Sequence, residues 1–122
     1  MLPLIKDIFQ AMVYLEKCHI IHRDIKAANI FIKENRAIVA DFGFARYVNE
    51  PFYDLNIGSL PFMPPEALSA NLYCNTTDVW AFGCLLYEIF HGEAPYAKSH
   101  DIKELVQKAY IPLRLNNIRP DL

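Results

Sequence analysis

The chain has 122 residues, is 53% hydrophobic and carries a net charge of −2, the composition of one globular domain or a piece of one. A charge so close to zero argues against a nucleic-acid or membrane-surface partner. Three cysteines, Cys18, Cys74 and Cys84, form an odd, unclustered set suited to a reducing compartment, so a cytoplasmic or nuclear setting is expected. The N-terminal stretch carries Lys6 and Asp7 within it and lacks the order of a signal peptide. The longest apolar run, Val79 to Phe90, contains Glu88 and falls short of the ~20 residues that span a bilayer.

Residues 3–17 predict a helix, with Pro3 in the first turn and Ile5, Ile8, Phe9 and Met12 at helical spacing. Next comes His22-Arg23-Asp24-Ile25-Lys26-Ala27-Ala28-Asn29, which gathers a carboxylate, a cation and a metal-competent amide ahead of an apolar strand. Cys18, His19 and His22 include metal-ligating types, but they lack the second ligand pair that a closed zinc site needs. Residues 30–32 and 37–40 read as two strands joined by a polar turn, Lys33 to Arg36. Such a hairpin returns the chain from Asn29 to Asp41-Phe42-Gly43, which makes neighbours of two oxygen ligands suited to Mg²⁺. The set meets the needs of phosphoryl transfer: a proton-accepting carboxylate, a cation for developing charge, and metal ligands.

Segment 44–65, with Pro51, Gly58, Pro61, Pro64 and Pro65, reads as a long irregular loop of the kind that carries function. Glu66 to Ser69 form a short helix. Residues 77–91 predict a helix that is apolar all round, hence a buried hub, stopped by Gly92. Residues 101–110 predict a third, amphipathic helix with Ile102, Leu105, Val106 and Ala109 on one face and Asp101 with Glu104 as a capping pair. The tail, 111–122, reads as loop.

In order, these pieces closely resemble the large lobe of a eukaryotic-type protein kinase domain. The resemblance spans almost every residue: catalytic loop 22–29, metal-binding loop 41–43, activation segment 41–66 and central helix 77–91. Gly58-Ser59 stand where the family has its Gly-Thr or Gly-Ser. Pro64-Pro65-Glu66 stand for Ala-Pro-Glu, and Asp78 with Trp80 fits the opening of the central helix. The implied fold is mainly α with a short β-hairpin, a partial large lobe of that α+β fold. The four glycines, at 43, 58, 83 and 92, are scattered, so the small lobe with its glycine-rich phosphate loop is expected to be absent.

The resemblance implies roles residue by residue. Asp24 is the catalytic base, Lys26 sits beside the γ-phosphate of ATP, and Asn29 and Asp41 hold Mg²⁺. Phe31 lies under the adenine. His22 and Phe42 are expected to pack rather than react. Asp78 is expected to accept hydrogen bonds from the backbone of the catalytic loop, with a helix N-terminal charge as its plainer role. Arg23 pairs, in the family, with a phosphate on the activation segment; its alternative is a salt bridge with Glu50 or Asp54. Ser59 is the only Ser or Thr between Phe44 and Pro65 and faces the catalytic loop, so the expectation is that Glu50 or Asp54 holds the segment. Glu66 pairs, in the family, with an arginine of a later helix, and Arg119 comes early for that role.

The implied activity is transfer of the ATP γ-phosphoryl group to a protein hydroxyl. Lys26 with Gly58-Ser59 resembles the Ser/Thr-specific pattern, since tyrosine kinases place an Ala-Ala-Arg or Arg-Ala-Ala run where Lys26-Ala27-Ala28 stands. Without a small lobe the chain alone should be catalytically feeble. The rival reading is a truncated, non-catalytic kinase-like scaffold that binds a partner through its third helix, the 44–65 segment or the face left by missing segments.

Overall fold

The computed structural model describes residues 1–55, 58–96 and 101–109. Helix α1 (Leu2–Lys17) opens the chain with Pro3 in its first turn, where a missing N–H costs nothing. Ile8 and Leu15 form its buried stripe, while Phe9 and Tyr14 face outward. At its end His19 takes a left-handed φ of 57°, which turns the chain into strand β1 (Ile20–Ile21).

Strands β2 (Ile30–Lys33) and β3 (Arg36–Val39) form the expected hairpin, with Ile30 opposite Val39 and Lys33 opposite Arg36. Its two-residue turn, Glu34-Asn35, has φ of 52° and 62°, the double left-handed backbone whose twist suits tight hairpins. The Asp7 carboxylate ties the hairpin to α1: Oδ2 accepts the Ala37 N–H at 3.0 Å, and Oδ1 lies 2.9 Å from Arg36 Nη2. Arg36 in turn draws the Asp7 carboxyl below the usual carboxylate range.

Segment 44–65 has more structure than its composition suggests. Strand β4 (Arg46–Tyr47) pairs antiparallel with β1, and β5 (Phe52–Tyr53) pairs with β6 (Leu72–Tyr73). A 3₁₀ turn, Leu60–Phe62, precedes helix α2 (Pro65–Ala70). Strands of two residues carry no period to read, and their partners lie 19 to 27 residues away. Asn71, at φ 55°, ends α2.

Helix α3 (Thr77–His91) is the hub. Ala81 and Leu85 face the packing of α1 and the hairpin, whereas Cys84 faces α2 and Tyr73. Burial pushes the Cys84 thiol up to about 12, as expected of inert core. Gly92, at φ 91°, caps the helix with its N–H on the Glu88 carbonyl at 2.8 Å. The expectation of burial on every side is corrected in one respect: Val79 is 59% exposed, and Trp80, Phe82, Leu86, Ile89 and Phe90 are only half-buried.

Helix α4 (Ile102–Ala109) places Leu105 in the core against α2. The Asp101 carboxylate caps it by accepting the Lys103 N–H at 2.9 Å, and Glu104 meets Lys108 at 2.8 Å. Tyr110, the tail 111–122 and the Ala109 side chain lie outside the described residues. No helix among the described residues is long and apolar enough to cross a membrane.

Candidate active site

The loop 22–29 is held from beneath by one carboxylate. Asp78, in the first turn of α3, accepts the His22 N–H at 2.7 Å and the Arg23 N–H at 3.0 Å. Burial pushes its carboxyl up, and the two N–H donors oppose that. Arg23 takes φ 72°, a strained conformation for a long side chain that persists only where the surroundings impose it.

His22 is fully buried and fixes the loop from within. Its Nδ1 accepts the Asp24 N–H at 3.0 Å, which leaves the ring proton on Nε2 to reach the Ala40 carbonyl at 2.8 Å. Phe42 packs edge-on against the ring, centroids 4.8 Å apart. The histidine thus bridges the Asp24 loop and the approach to Asp41.

Asp24 is 8% exposed and surrounded by polar groups. Asn29, on the 3₁₀ turn Ala27–Asn29, donates both Nδ2 hydrogens to it: one to the Asp24 carbonyl at 2.7 Å and one to Oδ2 at 3.0 Å. Lys26 Nζ lies 3.8 Å from Asp24 Oδ1 and donates to Ser59 Oγ at 2.7 Å. Ser59 Oγ also stands 3.4 Å from Asp24 Oδ1. Residues 24, 26, 29 and 59 therefore meet at one carboxylate.

Gly58 allows that meeting. Its φ is 100°, and an added Cβ would lie 2.5 Å from the Arg23 carbonyl oxygen. Only a glycine lets the two backbones approach this closely.

The hairpin carries Asn29 to the second acidic element as expected. The Ala40 N–H donates to the Asn29 carbonyl at 2.9 Å, so Asp41 follows directly beside the loop. Asp41, exposed and at φ 60°, accepts the Gly43 N–H at 3.3 Å. With its amide hydrogens spent on Asp24, Asn29 keeps Oδ1 without a hydrogen-bond donor among the described residues. One amide oxygen and one open carboxylate fit Mg²⁺, which takes few protein ligands and completes its shell with phosphates and water. Phe31 is 57% exposed on the outer face of the hairpin, with Ile38 opposite it.

Two of the named residues stand apart from Asp24. Arg23 points the other way: Nη1 lies 2.9 Å from Asp54 Oδ2, and Nε donates to the Phe44 carbonyl at 2.8 Å. Of the two acids weighed for it, Asp54 is the partner. Glu66, half-buried on α2, lines a separate cavity of about 490 Å³ with Trp80 and Tyr96; Arg119 lies outside the described residues. A further cavity of about 530 Å³ sits between α1, residues 48–51 and the start of α3, behind the loop.

The sequence reading missed the His22 link to Ala40 and the placing of the Arg23 guanidinium 5.6 Å and 5.2 Å from the Phe52 and Tyr73 ring centroids, both made by residues distant in the chain. Gly58, named with Ser59 in the sequence, owes its place to the close approach of the Arg23 carbonyl.

Comparison with known proteins gives the arrangement its context. The family model described as protein kinase domain matches residues 2–119. The chain is 39% identical over 110 residues to tyrosine-protein kinase csk-1 of Caenorhabditis elegans, covering 85% of this chain and 20% of that protein. It is 42% identical over 95 residues to tyrosine-protein kinase abl-1 of the same organism, covering 74% and 8%. It is 44% identical over 94 residues to protein-tyrosine kinase 6 of Mus musculus, covering 74% and 21%. The chain spans about a fifth or less of the length of these relatives. With one carboxylate at the meeting point of Lys26, Asn29 and Ser59, and a family match from residue 2 to residue 119, the chain belongs to the protein kinase domain family.

Proposed function

We propose that this chain is the hydroxyl-activating part of a protein kinase, with Asp24 as the base that receives the proton of a protein hydroxyl. The observation that carries the reading is the convergence on Asp24: Asn29 Nδ2 at 3.0 Å, Lys26 Nζ at 3.8 Å and Ser59 Oγ at 3.4 Å from its carboxylate oxygens. Asn29 orients the carboxylate. Lys26 places positive charge where negative charge develops during transfer. When bound, Mg·ATP supplies the phosphoryl group and neutralises its charge. Asn29 and Asp41 would hold the metal, and Phe31 offers an apolar floor to the purine. Three free cysteines are in keeping with a cytoplasmic or nuclear setting.

The acceptor is Ser or Thr in the reading we favour, because Lys26 and Ser59 form a direct 2.7 Å contact over the base. The second reading is a tyrosine acceptor, favoured by relatives that carry tyrosine-kinase names. Incubating protein substrates and labelled ATP with the chain joined to an ATP-covering small lobe, then hydrolysing the products to phosphoamino acids, separates the two. Phosphoserine or phosphothreonine is expected, and phosphotyrosine alone would reverse the choice. Asp24→Asn should lower transfer by about 10²–10⁴-fold at unchanged thermal stability. Equal transfer by the variant and the parent favours the scaffold reading.

A further inference from the structure

We infer that the cavity of about 530 Å³ behind the loop is a docking site for a segment of a protein partner that carries one aromatic side chain flanked by Lys or Arg. Asp24, Lys26, Asn29 and Ser59 take no part in its lining, so the inference goes beyond the transfer reaction and does not depend on it.

The cavity has the size of an occupied ligand site, about 300–1,000 Å³, and its walls choose the occupant. Its apolar side is built by Phe9, Met12 and Val13 of α1 and by Val79 and Phe82 of α3. The Phe9 and Phe82 rings stand 6.4 Å apart at an interplanar angle of 42°. Aromatic edges and faces, with the Met12 thioether beside them, favour an aromatic guest. Phe9 is 55% and Val79 59% exposed, so this wall is open to a side chain arriving from a protein surface.

The rim sets the charge. Glu16 and Glu50 line the cavity and are exposed, and neither carboxylate has an ion-pair or hydrogen-bond partner among the described residues. No Lys or Arg lines it. Asp78, the third acid, is spent on the His22 and Arg23 N–H groups and answers the positive pole at the start of α3. The end of α1 adds its negative pole to the rim. There His19 holds φ 57°, where helices commonly take glycine, and so keeps a side chain on the rim at a cost in strain. A second copy does not meet these terms, because a two-fold contact of this mouth with itself brings the acids of both copies together.

The test is an NMR titration of the isotope-labelled 122-residue chain, at a concentration where sedimentation shows the monomer. The probes are three acetylated, amidated tripeptides: Arg-Trp-Arg, Glu-Trp-Glu and Arg-Ala-Arg. Arg-Trp-Arg should shift the amides of residues 12–20, 48–51 and 74–79, and should bind about tenfold or more tightly than either control. Glu16→Gln/Glu50→Gln should weaken it about fivefold, and Glu16→Lys/Glu50→Lys should prefer Glu-Trp-Glu. These changes lie at exposed positions, which the fold tolerates. Any one of four results would overturn the inference: no shifts at the cavity, equal binding of Arg-Trp-Arg and Glu-Trp-Glu, an unchanged preference in the lysine variant, or free tryptamine binding as tightly as the peptide. The last would make this a site for a small organic cation. Association of the parent that Val79→Lys abolishes would assign the face to a second copy and equally overturn it. The readout is binding alone, so a failure of the kinase reading at Asp24 leaves it standing.

Discussion

Gly58 and Asp54 show how single residues decide the geometry around Asp24. At Gly58 a side chain would strike the Arg23 carbonyl at 2.5 Å on a backbone with φ 100°. Gly58→Ala should therefore destabilise the fold by about 2 kcal/mol in urea denaturation, through strain and displaced backbone together. Asp54 sets a pH dependence. Arg23 draws its carboxyl below the ordinary value of 3.8, helped by the Leu55 N–H and by Arg46. A carboxyl depressed in the folded state stabilises above its unfolded pKa, and that contribution is lost as pH falls through the lower folded value. Asp7 is depressed too, by Arg36, so the parent alone does not isolate the effect. The difference in urea midpoint between parent and Asp54→Asn should be constant from neutral pH to about 5 and should shrink below about 4. A gap that widens with acid would contradict the assignment.

Among the elements, those with a long period were legible and those without were not. Helices α1, α3 and α4 were read from apolar spacing, and the hairpin from two short apolar runs around a polar turn. Strands β1, β4, β5 and β6 are two residues each, too short for alternation to register. They exist because distant segments meet: Ile21 with Arg46, and Phe52 with Tyr73. Helix α3 also yields a prediction opposite in sign to that at Gly58. Gly83 lies mid-helix, and an added Cβ there meets nothing within 4 Å. Gly83→Ala should stabilise the chain by about 0.8 kcal/mol, since alanine loses less backbone entropy in a helix. Thermal melts of the two glycine variants, run side by side, check both signs.

On the scale of the whole molecule, much apolar surface remains outside the core. Phe31, Ile32, Ile38 and Phe42 stand 47–58% exposed around the hairpin, and Phe9 and Val79 line the cavity behind the loop. Surfaces of this kind mark interfaces or association. The 122-residue chain should bind a hydrophobic dye and associate with rising concentration in sedimentation. A monodisperse monomer at every concentration would count against this. The same exposure bears on nucleotide. Ligand sites bury most of their ligand, whereas Phe31 offers one open face. Calorimetric titration of the chain with Mg·ATP should give a dissociation constant no tighter than about 1 mM. Micromolar binding would show that the floor alone suffices.

The residue types and order of the candidate site were all present in the linear chain. Asp24, Lys26 and Asn29 lie within six positions, and a hairpin of known length places Asp41 after them, so chemistry and local geometry follow from neighbours in sequence. Tertiary structure decided which of two acids meets Arg23, that His22 reaches Ala40, and that Asp78 carries the loop from beneath. Those contacts join residues 18–56 positions apart. A charge in sequence has no direction until the backbone gives it one, and here the pairing of β5 with β6 aims Asp54 at Arg23 while leaving Glu50 in solvent.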